Sequence, residues 1–248
     1  MRADLAEPRA SVDWAIAQIP VLQERLKAWE GSDPYERFVE ADTDPRYEVL
    51  AVRQRSSLDP LISPEIGAIL NATRSALDLL AAALAARNGI KPSRKTHFPI
   101  YKTSAGFTDL RNGMDSDKVK EWLSTAEIAT IKSLQPYGGG DPVLYPLNEM
   151  DVLRKHERLI VVYPSVERSY FNITGGGIEP CLRRTDDKTI LYRMPAGRGF
   201  RLTKGNSYVA SEIFFNEPAL GIRDEPAFPL LRRYAIRVTD IIDMFDTP

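Results

Sequence analysis

The chain has 248 residues, 43% hydrophobic and 27% charged, which is the make-up of an ordinary globular protein and excludes disordered, collagenous and disulfide-framework classes. Thirty-three Lys and Arg against thirty-four Asp and Glu leave a net charge of −1, so no overall field draws it to nucleic acid or anionic lipid, and such binding needs a local patch. The single Cys181 excludes an intramolecular disulfide and a cysteine-rich zinc site, and two histidines, His97 and His156, exclude a site of three imidazoles.

Residues Met1 to Ala10 carry Arg2, Asp4, Glu7 and Arg9 with no apolar core, which is not the pattern of a secretory signal. From Ser11 to Glu30, Val12, Ile16, Ile19, Leu22, Leu26 and Trp29 recur at helical spacing, with Pro20 expected to kink the helix. Tyr35 to Gln54 changes to a strand period on both sides of Thr43-Asp44-Pro45-Arg46, which predicts a β-hairpin. A long helix follows, opened near Pro64 and Glu65 and stopped by Gly89. Its apolar run, Ile66 to Ala86, contains Asn71, Arg74 and Asp78, which argues against a membrane span and for a cytoplasmic protein without a membrane partner.

After the basic residues Lys91, Arg94 and Lys95 comes the short extended run His97-Phe98-Pro99-Ile100. These cations admit two readings, a solvated surface loop or a contact for phosphate. Ser124-Thr125-Ala126-Glu127 has the form of a capping box. Asp141-Pro142 is expected to cap a helix running to about Leu159. Beyond it the chain turns β-rich, with candidate strands Ile160 to Tyr163, Ser169 to Ile173, Thr189 to Arg193 and Ser207 to Phe215. Turns are expected at Gly175-Gly176-Gly177 and Thr185-Asp186-Asp187, and Asn172-Ile173-Thr174 reads as a chance match to the glycosylation pattern. Pro226 to Phe245 is strongly periodic and predicts a last helix.

Two helices carry candidate chemistry. On the long one, Asn71, Arg74 and Asp78 share a narrow stripe beside the apolar face of Ile66, Leu70, Leu77, Leu80 and Leu84. The stripe either lines a cleft or holds an i,i+4 pair of Arg74 with Asp78 that also caps a neighbouring loop. On the second, Asn148, Asp151, Lys155 and Arg158 lie on one side and His156 falls among Val152, Leu153, Leu159 and Ile160, which points His156 toward the core. That face, packed on the long helix, would bring His156 near Asp78 or Arg74, where a neutral imidazole can act as general base.

Four ordered motifs, Asn71 to Asp78 (Asn-x-x-Arg-Ser-Ala-Leu-Asp), Phe98-Pro99-Ile100, Leu134-Gln135-Pro136-Tyr137 and Lys155-His156, resemble a family of uncharacterised bacterial and phage proteins. The family's usual runs are Arg-Ser-Ala-Leu-Asp-His and Asp-Lys-His-Arg. This chain has Leu79 where the first ends in His, and Arg154-Lys155-His156-Glu157 where the second exchanges its flanking charges. Arg followed five positions later by His is similar to the motif of HEPN ribonucleases, and that likeness implies metal-independent RNA cleavage across a dimer interface. Neither histidine here has Arg five, six or seven positions before it.

Other chemistries fit less well. Position 153 is Leu, which breaks the Glu-x-x-His spacing of a carboxylate-bridged metal pair. Cys181 lies near Arg183 and Arg184 but reads as a buried or incidental thiol. The glycine triplets lack the following Lys-Ser/Thr of a phosphate loop.

The resulting expectation is an α+β protein, a HEPN-like helical bundle with an appended antiparallel β-sheet, in one domain spanning 1–248. Its helical core lies at about 8–30, 64–89, 141–160 and 226–246, with strands at about 35–54 and 160–216. The candidate catalytic residues are Arg74, Asp78 and His156, and the candidate binding residues Asn71, Asn148, Asp151 and Lys155. No cofactor or metal is expected. The expected partners are a second copy of the chain and an RNA or small-molecule ligand. Leu79 tips the reading from nuclease toward a non-catalytic binding protein.

Overall fold

The structure is a computed structural model that describes residues 2–171, 173–174, 177–185, 187–197, 201–202 and 208–246. Among these the chain is mixed α+β. Its helices are α1 (Ala6–Gly31), α2 (Ile62–Arg87), α3 (Ser104–Phe107), α4 (Asp117–Lys120), α5 (Thr125–Ser133), α6 (Leu144–His156) and α7 (Ala227–Met244). Its strands are β1 (Tyr35–Ala41), β2 (Tyr47–Gln54), β3 (Val162–Tyr170), β4 (Ile173–Thr174), β5 (Glu179–Arg184), β6 (Thr189–Pro195), β7 (Arg201–Leu202), β8 (Tyr208–Glu217) and β9 (Ile222–Pro226). The residues divide into two compact units, one of Met1–Gln23, Ser63–Val162 and Phe215–Pro248, the other of Glu24–Ile62 and Tyr163–Phe214.

In the first unit, helices share a core. Val12, Ile19 and Leu22 of α1, Ile66, Leu70, Leu77, Leu80 and Leu84 of α2, and Leu230, Leu231, Tyr234, Val238 and Ile241 of α7 are all buried. Each such aliphatic side chain contributes roughly 1.5–3 kcal/mol of transfer free energy, which is why the apolar periodicity of α2 and α7 already identified them as packed helices. α2 is long and apolar enough by length and composition to cross a membrane, and more than half of that stretch is buried inside the protein. It is terminated two residues past Arg87 by Gly89, whose φ of +77° is left-handed and lets the Ile90 amide close on the Ala85 carbonyl at 2.9 Å.

α1 lies along α2, with the Ser11 hydroxyl donating to the Ala72 carbonyl at 2.9 Å. α7 reaches α6 through the Tyr234 hydroxyl, which donates to Met150 Sδ at 3.7 Å. It reaches the start of α6 through Arg237, whose Nε and Nη2 donate to Asp141 Oδ2 at 2.9 and 2.8 Å. The other oxygen of Asp141 accepts from the Val143 and Leu144 amides, so this residue caps α6 from three positions before its first helical residue. The capping box at the start of α5 is present: the Ser124 hydroxyl accepts from the Glu127 amide, and the Ser124 amide donates to Glu127 Oε2 at 2.8 Å.

In the second unit, β1 and β2 form the expected antiparallel hairpin, and the sheet runs in the order β1-β2-β6-β5 with antiparallel pairing throughout. Val49, Ala51 and Ile190 form a small apolar cluster on it. β4 and β7 pair antiparallel. Two expected strands, Ile160 to Tyr163 and Ser169 to Ile173, overlap only the two ends of the single β3, and Ile173 belongs to β4; β5, and β9 in the first unit, carry too little alternation to stand out in the sequence. Asn172, two glycines of the triplet 175–177, and Asp186 lie outside the described residues.

Candidate functional site

The first unit brings the polar stripe of α2 against α6. Arg74 Nε donates to Asn148 Oδ1 at 2.9 Å, and Asn71 Nδ2 donates to Asp151 Oδ1 at 3.2 Å. One turn earlier on α2, a Cβ at Gly67 would stand 2.5 Å from Arg154 Cδ, so only glycine admits the Arg154 stem without displacing it. Arg74 with Asn148, Asn71 with Asp151 and Gly67 with Arg154 put the two helices antiparallel, polar stripe to polar stripe.

Arg74 is 9% exposed at its side chain and all its nitrogens face protein acceptors. Besides Asn148, Nη1 donates to Asp78 Oδ1 at 2.7 Å and Nη2 to the Phe98 carbonyl at 3.5 Å. Asp78 Oδ1 also accepts from the Phe98 amide at 3.0 Å. The i,i+4 pair therefore grips both backbone groups of one buried loop residue, as the capping alternative for this stripe anticipated. The Phe98 ring is 1% exposed, so a deep apolar anchor and a charged clamp fix the same point of the chain.

The loop then joins another of the sequence motifs. The Tyr101 amide donates to the Pro136 carbonyl at 2.8 Å, and the Gly138 amide donates back to the Tyr101 carbonyl at 3.2 Å. Phe98-Pro99-Ile100 and Gln135-Pro136-Tyr137 are thus neighbours, with Gln135 at φ 51° turning the chain. Burial pushes the Tyr101 hydroxyl up to about 12, which keeps it protonated at neutral pH. The Tyr145 phenol is also raised, by burial and by the adjoining Glu149 carboxylate.

No family model, curated protein or solved structure matches the chain.

The residues predicted as a site separate into two sets. Asn71, Arg74, Asp78, Asn148 and Asp151 converge, and Lys155 joins them through its ammonium, 2.5 Å from Asp151 Oδ2. Asp151 is 4% exposed and is compensated by both Lys155 and Arg154, the latter donating from Nη2 at 3.2 Å. His156 stands apart. The expectation that it faces the core is corrected: it is exposed in the last turn of α6, as are Val152 and Leu159 in the same region.

The phase of α6 is set instead by Leu144, Leu147, Met150 and Asp151, all buried. The polar residues Asn148 and Asp151 lie on the packed side because their partners on α2 are polar. The helix also ends at His156, so Leu159 and Ile160 never share its wheel. His156 lies eight residues beyond Asn148, about 12 Å along the axis from the level of Arg74.

The histidine that does approach is His97. Its Nδ1 is 3.7 Å from Asp78 Oδ2, and it is 61% exposed. Its only forewarning in the sequence is its place directly before Phe98. Among the described residues, no three His, Cys, Asp or Glu side chains are placed to hold a metal ion. Chemically, the arrangement is a charged clamp that positions a loop, with one imidazole at its solvent edge.

Proposed function

We propose that this chain is a non-catalytic, ligand- or partner-binding protein of the cytoplasm, of bacterial or phage origin, whose helical unit is a divergent relative of HEPN-like bundles. The observation that carries this reading is the engagement of Arg74. A guanidinium that stabilises a phosphate needs donors aimed at open space. Here Nε, Nη1 and Nη2 are directed to Asn148, Asp78 and the Phe98 carbonyl. The replacement of the family's histidine by Leu79 and the exposure of His156 away from the clamp support the same reading.

A second reading, metal-independent cleavage of RNA, draws its support from the approach of His97 Nδ1 to within 3.7 Å of Asp78 Oδ2, which sets an imidazole beside a carboxylate at the solvent edge of the clamp. The purified protein, incubated with end-labelled RNA in excess chelator and resolved by gel, decides between them. No cleavage above buffer is expected. Cleavage that His97→Ala abolishes while the melting temperature is retained would establish the nuclease reading instead.

A further inference from the structure

Between Asp78 and Asp109 the sequence contains no acidic residue, whereas Arg87, Lys91, Arg94, Lys95 and Lys102 all fall there. In a chain of net charge −1 this is a pronounced local excess. Arg87 is occupied, with Nε donating to Asp4 at 2.8 Å and Nη1 and Nη2 to the Phe245 carbonyl. Lys91, Arg94, Lys95 and Lys102 are different. All four are exposed, and among the described residues none of their side chains has an ion-pair or hydrogen-bond partner. His97, also exposed, lies between them.

This segment is held at both ends and shaped between. The left-handed Gly89 fixes its start, the clamp of Arg74 and Asp78 holds Phe98, and the backbone bonds of Tyr101 with Pro136 and Gly138 fix its end. In the middle, the Thr96 amide donates to the Ser93 carbonyl at 2.9 Å, closing a turn whose two central residues are Arg94 and Lys95. The Ser93 amide donates to Thr96 Oγ1 at 3.0 Å and the Lys95 amide to Ser93 Oγ at 3.2 Å, which tightens the same turn. The cations are therefore presented on a backbone whose ordering cost is met within the fold, which favours association with an anion of several charges.

We propose that loop 90–102 is a binding site for phosphate esters, in which Lys91, Arg94, Lys95 and Lys102 neutralise successive phosphates and His97 borders them. The proposal rests on the binding reading above and names its ligand. It also gives the Asn71–Asp78 network a function at a distance: Arg74 and Asp78 position the loop and do not touch the ligand. The phosphates can belong to a single strand of nucleic acid or to a free nucleotide, and both present the same oxygens.

Fluorescence anisotropy with the full chain tests this. The probes are a labelled 15-nucleotide strand with 2′-O-methyl sugars, which is read equally well whether or not the protein cleaves RNA, and labelled ATP. Three to four phosphate contacts predict that log affinity for the strand falls with log salt at a slope of about −2 to −3. The triple variant Lys91→Ala, Arg94→Ala, Lys95→Ala should weaken binding about tenfold or more at low salt and flatten that slope by about 2. A control triple, Lys27→Ala, Lys118→Ala, Lys120→Ala, makes the same charge change elsewhere and should leave both unchanged. Loop-dependent binding of ATP without the strand sustains the site and makes a free nucleotide its ligand. Binding of neither probe, or equal losses in the two triples, overturns the proposal.

Discussion

Replacing Arg74 with methionine keeps the length and apolar contact of the stem and removes the charge that joins α2, α6 and the loop at Phe98. Breaking a buried ion pair by deleting one partner costs about 3–5 kcal/mol. Asp78 is 31% exposed and keeps the Phe98 amide, so water and one hydrogen bond compensate part of the loss. The expected destabilisation is therefore about 2–4 kcal/mol, a fall in Tm of roughly 6–12 °C near the middle of that range.

Arg74→Lys retains a charge beside Asp78 but lacks the planar fork that reaches Asn148 and the Phe98 carbonyl together, and should lose about half as much. Thermal denaturation followed by circular dichroism measures both variants. Hydrogen exchange of the peptide covering 97–101 adds a local readout, because the Phe98 amide is protected by Asp78 and should exchange faster when the clamp is cut. A Tm within about 2 °C of the parent, with unchanged exchange at Phe98, would refute the assignment of Arg74 as a clamp.

Three further outcomes follow from the same geometry. Gly67→Ala sets a Cβ against the Arg154 stem and displaces the contact of Arg154 with Asp151, a loss offset in part by the gain of about 1 kcal/mol of alanine over glycine inside a helix, so the net cost in urea denaturation should be about 0–2 kcal/mol. His156→Ala, at an exposed helix end, should change stability by less than about 0.5 kcal/mol at pH 7.5; a loss of several kcal/mol would restore the core placement. In the β1–β2 turn, hydrogen bonds from the Arg46 side chain and amide hold the Asp44 carboxyl down to about 2. Because this lies below the ordinary value of about 3.9, the stabilisation is complete above that value and disappears as pH falls toward 2. A carboxyl titration by NMR should therefore place the Asp44 midpoint near the lower figure, and a midpoint near 4 would show that the turn contacts do not persist in solution.

Much of the fold was legible along the chain because its cues are local. The hairpin is declared by a change of period around Asp44-Pro45, and the capping box by residues three apart that satisfy each other's backbone. β5 was not legible. It is an exposed strand held by backbone pairing with β6, and Glu179-Pro180-Cys181-Leu182-Arg183-Arg184 has no apolar alternation. At the candidate site, the helical spacing of Asn71, Arg74 and Asp78 correctly placed them on one stripe. Their acceptors lay elsewhere: Asn148 is seventy-four positions from Arg74, and the Phe98 contribution is backbone, which no side-chain pattern announces.

Sequence alone determined which residues form α2 and α7, because a continuous apolar face on a helix has to be buried whatever covers it. It also placed Arg74 and Asp78 at i,i+4 spacing on α2 and limited the imidazoles available for chemistry to two, while the structure chose the ion pair over a cleft lining. Only the tertiary structure decided how α6 faces its neighbour. A wheel ranks faces by hydrophobicity, but the stripe that α2 offers is polar, and the surface that satisfies a buried guanidinium and amide is the one carrying Asn148 and Asp151. That choice turned His156 to solvent and left His97, held beside Asp78 by the anchored Phe98, as the histidine at the site.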